Sequence, residues 1–205
     1  MQGYILNINR VKDEDLIVTL LTENRLITLY RFYGARHGSI NIGYKLDFEA
    51  INSGKSSISM LRNVLHLGDK WMLKSKRFFI WQQFIKLLFG HLKDIEELDN
   101  FYFNLLNTMN KKFEKQNPVR VVVESYITLL SYEGRLHDDF ICLTCENVVT
   151  QDLVLTRSFL PAHYECIFGT VLDIDRIKEL FLTGTTINFS DDEVSQLWKI
   201  LQDGI

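Results

Sequence analysis

Residues 15–32 read DLIVTLLTENRLITLYRF, two β-rich runs separated by Glu23-Asn24. Val, Ile, Thr and Tyr suit a pleated strand, and a polar pair between two such runs suits a turn, so the stretch predicts a hairpin. The same texture continues on both sides. Residues 1–8, MQGYILNI, roughly alternate apolar with small or polar positions. Gly34-Ala-Arg-His-Gly-Ser39 forms a Gly-rich connector, and YKLDFEAI (44–51) and SISMLRNVLHL (57–67) supply further strands. Five short strands in about 65 residues, with no convincing helix, predict a small closed or partly closed barrel. An oligonucleotide-binding (OB) barrel is the prime candidate of that size.

From residue 71 the period changes. In WMLKSKRFFIWQQFIKLLFGHL (71–92), Phe78, Trp81, Ile85, Leu88 and Leu92 recur every three or four positions, the mark of an amphipathic helix. EELDNFYFNLLNTMNKKF (96–113) repeats the pattern through Phe101, Leu105 and Met109. A third helix is expected to start at Asn117 as N-cap with Pro118 at its first position, and to end at Gly134. The β-branched run near its start, VRVVV, is a poor helix former, so burial must override local propensity there. DIDRIKELF (173–181) and SDDEVSQLWKILQ (190–202) predict two more helices. In the second, Ser190 and Glu193 have capping-box spacing and Val194, Leu197, Trp198 and Leu201 form the apolar face.

The fold expected is therefore α+β, an N-terminal OB-fold β-barrel followed by an α-helical domain with an inserted zinc-ribbon-like segment. The expected division is barrel 1–70, helical bundle 71–139, ribbon-like segment 140–168, and C-terminal helices 169–205 packing on the bundle. There are no internal repeats and only 2 prolines, so the parts are expected to pack together rather than to be tethered.

A composition of 46% hydrophobic and 24% charged residues is that of a folded protein. No apolar run approaches the roughly 18 residues needed to cross a bilayer. The N-terminal residues lack the basic and apolar regions of a secretory signal, so the expectation is a cytoplasmic protein, where clustered cysteines bind metal or catalyse rather than pair as disulfides. The net charge of −3 hides an asymmetry: residues 1–80 carry 12 Lys/Arg against 7 Asp/Glu, and residues 81–205 carry 11 against 19. Any nucleic-acid contact is therefore expected early in the chain.

All 3 cysteines lie in CLTCENVVTQDLVLTRSFLPAHYEC (142–166). They read either as a metal site or as unrelated thiols near a loop histidine. Cys142-x-x-Cys145 and His163-x-x-Cys166 are separated by 17 residues, the spacing of a zinc ribbon with imidazole replacing one thiolate. His163 occupies the slot where a fourth ligand is needed, which favours structural zinc on Cys142, Cys145, His163 and Cys166. Four protein ligands would close the shell, leaving no position for a catalytic water.

Other patterns resolve into structure. NSGKSSIS (52–59) resembles the end of a phosphate-binding loop, but that loop needs a glycine where Glu49 stands, so a turn between strands is expected and no nucleotide cofactor. Trp71, Phe78, Phe79, Trp81, Phe84 and Phe89 could stack on bases, yet at helical spacing they are expected to be core. Lys70, Lys74, Lys76 and Arg77 suit a solvated face as well as a phosphate-facing one. No Ser/His/Asp, paired-carboxylate or two-metal constellation stands out, so no enzyme is expected.

Taken in order, several pieces resemble the RecO family of bacterial recombination mediators. These are GYILNINRVKDEDLIVTLLTENRLITLYRFYGAR (3–36), a Gly-Ser turn, YKLDFEA (44–50), VESYITLLSYEGRL (123–136) and CLTC (142–145). The likeness runs to about residue 168, with Gly34-Ala35-Arg36 and the block from Leu130 to Cys145 its clearest landmarks. The sequence departs from the family's four-cysteine pattern at His163. The resemblance implies a nucleoid-associated DNA repair protein that binds single- and double-stranded DNA and anneals complementary strands. It further implies that the protein works with RecR and the C-terminal tail of single-stranded-DNA-binding protein (SSB) to load RecA. From charge and position, the DNA contacts expected are Arg10, Lys12, Arg25, Arg31, Arg36 and His37, extended by Lys70, Lys74, Lys76 and Arg77. The competing reading is a zinc-ribbon protein-interaction adaptor without intrinsic DNA binding.

Overall fold

The computed structural model describes residues 1–36, 38–52, 54, 57–95 and 97–205. It divides into two compact units, Met1–Lys115 and Gln116–Ile205. The boundary falls inside the helical stretch 71–139, so two of its helices belong with the barrel and the third with the ribbon.

Unit 1 is built on five strands: β1 (Gln2–Arg10), β2 (Leu16–Leu21), β3 (Leu26–Arg31), β4 (Lys45–Ile51) and β5 (Met60–His66). They close in the order β1-β2-β3-β5-β4, the OB topology expected from the strand count and spacing. All neighbours are antiparallel except β3 and β5, whose parallel contact rests on one registered pair, Tyr30 with Met60. The hairpin opens at Thr22–Arg25, where the Thr22 N–H donates to the Arg25 carbonyl at 3.0 Å.

Period-two alternation decides what faces inward. Leu16, Val18 and Leu20 from β2, with Leu46 and Phe48 from β4, point into a core shared with Ile5, Leu29, Ile40 and Leu61. The opposite face of β1 is buried too, because Tyr4 packs against Trp81 and Phe103 with centroids 6.0 and 5.7 Å away. Those rings come from α1 (Ser75–Leu92) and α2 (Phe101–Phe113).

Trp71, Trp81 and Phe84 are buried as core, whereas Phe79 is exposed. Trp81 Nε1 donates to the Gly43 carbonyl at 2.9 Å. Gly43 sits at φ +86°, and a Cβ there would lie 2.5 Å from that nitrogen, so the position excludes a side chain on two counts. Of the Ser-Gly-Lys-Ser turn, Ser53, Lys55 and Ser56 lie outside the described residues.

Unit 2 contains α3 (Pro118–Tyr132), the strands β6 (Leu153–Leu155), β7 (Pro161–His163) and β8 (Val171–Leu172), then α4 (Ile174–Thr183) and α5 (Asp191–Gln202). Asn117 caps α3 through a bond from the Val119 N–H, and Pro118 opens it. Val121, Val122 and Val123 are all fully buried, which is how a β-branched run stays helical. The small sheet has order β7-β6-β8, so the ribbon extends past residue 168 to Leu172. It is held to helices by the Tyr126–Phe159 and Phe140–Phe181 ring contacts at 5.0 and 5.5 Å.

Arg120 of α3 fastens the loop between α4 and α5. It donates to the carbonyls of Thr186 and Phe189 at 2.5 and 2.6 Å and to Asp191 at 2.8 Å. The expected Ser190–Glu193 capping box is present at the start of α5. No helix among the described residues is long and apolar enough to cross a membrane.

Candidate functional sites: a cysteine–histidine knuckle and the basic end of the barrel

The first knuckle is a tight turn. Ile141 and Val148 form an antiparallel bridge, the Cys142 N–H donates to the Asn147 carbonyl at 2.8 Å, and the Glu146 N–H returns to the Cys142 carbonyl at 3.0 Å. Glu146 takes the left-handed conformation that closes it. The Leu143 N–H bonds the Pro161 carbonyl at 2.9 Å, which ties this turn to β7. His163 ends β7, and the N–H groups of Cys166 and Ile167 both fold back onto its carbonyl at 3.0 Å. Two turns far apart in sequence thus face each other.

The ligand atoms of Cys142, Cys145, His163 and Cys166 all lie within 4.8 Å of one another. His163 Nδ1 is 3.4 Å from Cys145 Sγ. The edges of a tetrahedron around zinc, with bonds of 2.0–2.3 Å, are about 3.5–3.8 Å. The four donors therefore need only a small contraction to hold such an ion, and three sulfurs with one imidazole nitrogen are soft enough for zinc.

Two of the four donors, Cys142 and Cys145, are biased toward the thiolate that binds metal. Burial pushes the Cys142 thiol up, but the backbone N–H groups of Cys145, Thr144 and His163, with the His163 ring, outweigh it and bring it down to about 5. The Asn147 backbone lowers Cys145, and hydrogen bonding with Cys142 raises His163. Burial and hydrogen bonds to the other two thiols push Cys166 up to about 11. A group of N–H donors aimed at sulfur is the environment that favours thiolate.

The basic residues expected to meet DNA do not form one surface. Register places Arg10 of β1 and Arg31 of β3 on either side of Leu16. Lys12 lies in the adjoining turn, and Arg36, in the 3₁₀ turn Gly34–Arg36, forms an ion pair with Glu14 of that same turn. These four gather at one end of the barrel. Arg25 is at the opposite end of the β2–β3 hairpin, beside Glu97 and Leu98. Lys70, Lys74 and Lys76 are exposed around the 3₁₀ turn Lys70–Leu73 and the start of α1, while Arg77 donates to the Phe113 carbonyl at 2.6 Å. His37 lies outside the described residues.

At the gathered end, Asp15 organises the chain. Its carboxylate accepts from the Tyr30 hydroxyl at 2.5 Å and from the Tyr33 N–H at 2.7 Å, and these bonds hold the carboxyl below its usual range. Tyr33 is kept at φ +51°, a left-handed conformation that costs a residue with a side chain about 1–2 kcal/mol. Gly34 opens the 3₁₀ turn, and a Cβ there would meet the Leu16 side chain at 2.8 Å and the Arg31 stem at 2.9 Å.

Arg31 Nη1 donates to the Leu61 carbonyl at 2.9 Å, and its Nε is buried without a partner among the described residues. Burial, and then the neighbouring Arg62, lower the Arg31 pKa. Sequence reasoning missed Phe32, Tyr33 and Arg62 here. The aromatics are exposed, and their exposure follows from a backbone conformation that no periodicity announces.

Residues 1–72 match the protein family described as RecO N terminal. The matched segment is the whole barrel and the start of the 3₁₀ turn after it. Comparison with curated proteins finds no match. The five-stranded order, the match across every barrel strand and the expectation from sequence agree, and they support a RecO-type role in DNA repair. Over its N-terminal barrel, residues 1–72, the chain is similar to the RecO family.

Proposed function

We propose that this protein is a recombination mediator: it binds single- and double-stranded DNA, anneals complementary strands and, with RecR, helps load RecA onto SSB-coated single strands. The observation that supports this reading is the RecO N-terminal match over a barrel whose one end gathers Arg10, Lys12, Arg31 and Arg36. Lys and Arg side chains there neutralise phosphates and release counterions, which gives sequence-tolerant, salt-dependent affinity. Two strands held on one basic surface repel each other less and meet at higher local concentration. Pairing then needs no covalent chemistry.

RecR is assigned to the barrel by family resemblance. The acidic SSB tail is assigned to the helical part of unit 1, where Lys74, Lys76, Lys111 and Lys112 supply positive charge. Zinc, when bound by Cys142, Cys145, His163 and Cys166, would act as a structural staple, because four protein donors fill a tetrahedral shell.

Residues 116–205 carry 6 Lys/Arg against 14 Asp/Glu, and that acidity favours a protein partner over DNA on unit 2. The adaptor reading therefore stays as the alternative. The deciding experiment is annealing of complementary strands coated with their cognate binding protein, across several salt concentrations and with chelator present. Acceleration that falls with salt, without nucleotide or cleavage, is the expected result. No acceleration, with partner binding intact, assigns the protein to the adaptor class.

A further inference from the structure

Where β3 meets β5, the surface opens into a cleft of about 380 Å³ lined by Arg31, Phe32, Tyr33, Leu61 and Arg62. Its chemistry is unusual for an ordinary surface hollow. Two large aromatic side chains are exposed in adjacent positions, Phe32 at 47% and Tyr33 at 57%. Each is held by a neighbour. Phe32 sits edge-on to Tyr30 with centroids 4.9 Å apart, and Arg36 lies over one side of Tyr33 at 5.2 Å.

The cleft's two guanidinium groups have no carboxylate partner among the described residues. Glu49 stands opposite Arg62 in the β4–β5 register, yet it accepts from Asn63 Nδ2 at 2.7 Å instead. Both oxygens of the nearby Asp15 are committed to Tyr30 and Tyr33. Positive charge is thus placed beside exposed rings and left without neutralisation, at the cost of keeping Tyr33 in a left-handed conformation. A backbone kept out of its preferred region at a surface cleft points to use of that cleft.

We propose that this cleft is a pocket for one unpaired nucleotide, its base against Phe32 and Tyr33 and its phosphate between Arg31 and Arg62. The inference rests on the nucleic-acid reading of the barrel and adds a discrimination to it. Bases within a duplex offer only their edges in the grooves, so a ring face is reachable only where the strand is unpaired. The pocket therefore favours single strands, while the other cations of the barrel serve single strands and duplex alike.

The test measures fluorescence anisotropy of a labelled oligothymidylate and of a duplex of equal length, at fixed salt, with the full chain. The Phe32→Leu/Tyr33→Leu double variant is expected to lose about tenfold in single-strand affinity and to keep its duplex affinity. Arg62→Ala is expected to lower both affinities and to reduce the salt slope by about one. As a direct readout, Tyr33→Trp keeps a stacking ring, and its added emission is quenched by oligothymidylate. Equal losses on both substrates in the double variant, or no quenching of Tyr33→Trp, overturn the pocket while leaving DNA binding by the barrel intact. Wild-type protein that binds neither substrate removes the pocket and the mediator reading together.

Discussion

The barrel and the ribbon are both β structure, and they are held together in different ways. The barrel strands run 6–9 residues and enclose a shared apolar core in which Ile5, Val18, Leu20 and Leu46 are fully buried. The ribbon strands run 2–3 residues, below what stands alone in water. What fixes the ribbon is packing of Leu153, Leu155 and Phe159 with ring contacts to helices, together with the four-donor knuckle and the hydrogen bonds around it. The contrast locates stability: the barrel encloses its own apolar core, whereas the ribbon buries its short strands against helices and closes on a hydrogen-bonded knuckle.

That contrast can be broken most forcefully by taking the metal donors away. For protein loaded with zinc, chelation or Cys142→Ser is expected to abolish cooperative folding of the ribbon, since binding energy at a structural zinc is folding energy. Hydrogen exchange read residue by residue should show protection lost over residues 140–172 and kept in the barrel core. Equal loss in both units would mean that the division by type of interaction is mistaken.

The next largest effect belongs to the barrel unit. Gly43→Ala must adopt φ +86° and push against Trp81 Nε1, which together should cost about 3 kcal/mol. A denaturation midpoint that does not move would show that the Trp81–Gly43 contact yields easily. Within unit 2, Arg120→Ala strips three acceptors of a charged donor and should cost about 2 kcal/mol. Arg120→Lys is expected to recover little, because a single ammonium cannot reach all three acceptors in the geometry of a fork.

The smallest effect is a pH dependence. His66 stacks on Tyr44 at a centroid distance of 3.8 Å with its Nε2 buried and unpartnered among the described residues. Burial lowers its pKa, and Asp69 opposes this only in part. A depressed folded-state pKa means that the stabilisation is present above the ordinary imidazole value, about 6.5, and is lost as pH falls below it. His66→Phe keeps the stack and should flatten that loss in melts taken below the same pH. An unchanged profile would assign the acid sensitivity to other groups.

The barrel and the knuckle were legible in the sequence because each follows a rule of spacing. Alternation in LIVTLL (16–21) put Leu16, Val18 and Leu20 on one face, and two x-x spacings 17 residues apart brought four donors together. The division into units was not legible: α1 and α2 read as the start of one bundle, and nothing in their periodicity says that their apolar faces meet Tyr4 of β1. The cation set was legible as charge but not as placement. Arg77 and Arg31 each donate to a backbone carbonyl, Arg25 lies away from Arg10 and Arg31, and only register decides that. Nothing in the sequence marks Arg120, because its partners lie more than 60 residues away.

The lone registered pair between β3 and β5 also gives the barrel a clasp. Every other junction is a ladder of at least three pairs, whereas this one rests on Tyr30 with Met60, on the Tyr30 N–H donating to the Ser59 carbonyl at 2.9 Å and on Arg31 Nη1 donating to the Leu61 carbonyl at 2.9 Å. The cylinder should therefore breathe there first, opening into a curved sheet with β3 and β5 as its free margins. The nucleotide cleft lies on that clasp, so a strand seated across Phe32 and Leu61 would fasten it, and the Tyr30 amide would exchange more slowly with DNA bound than without.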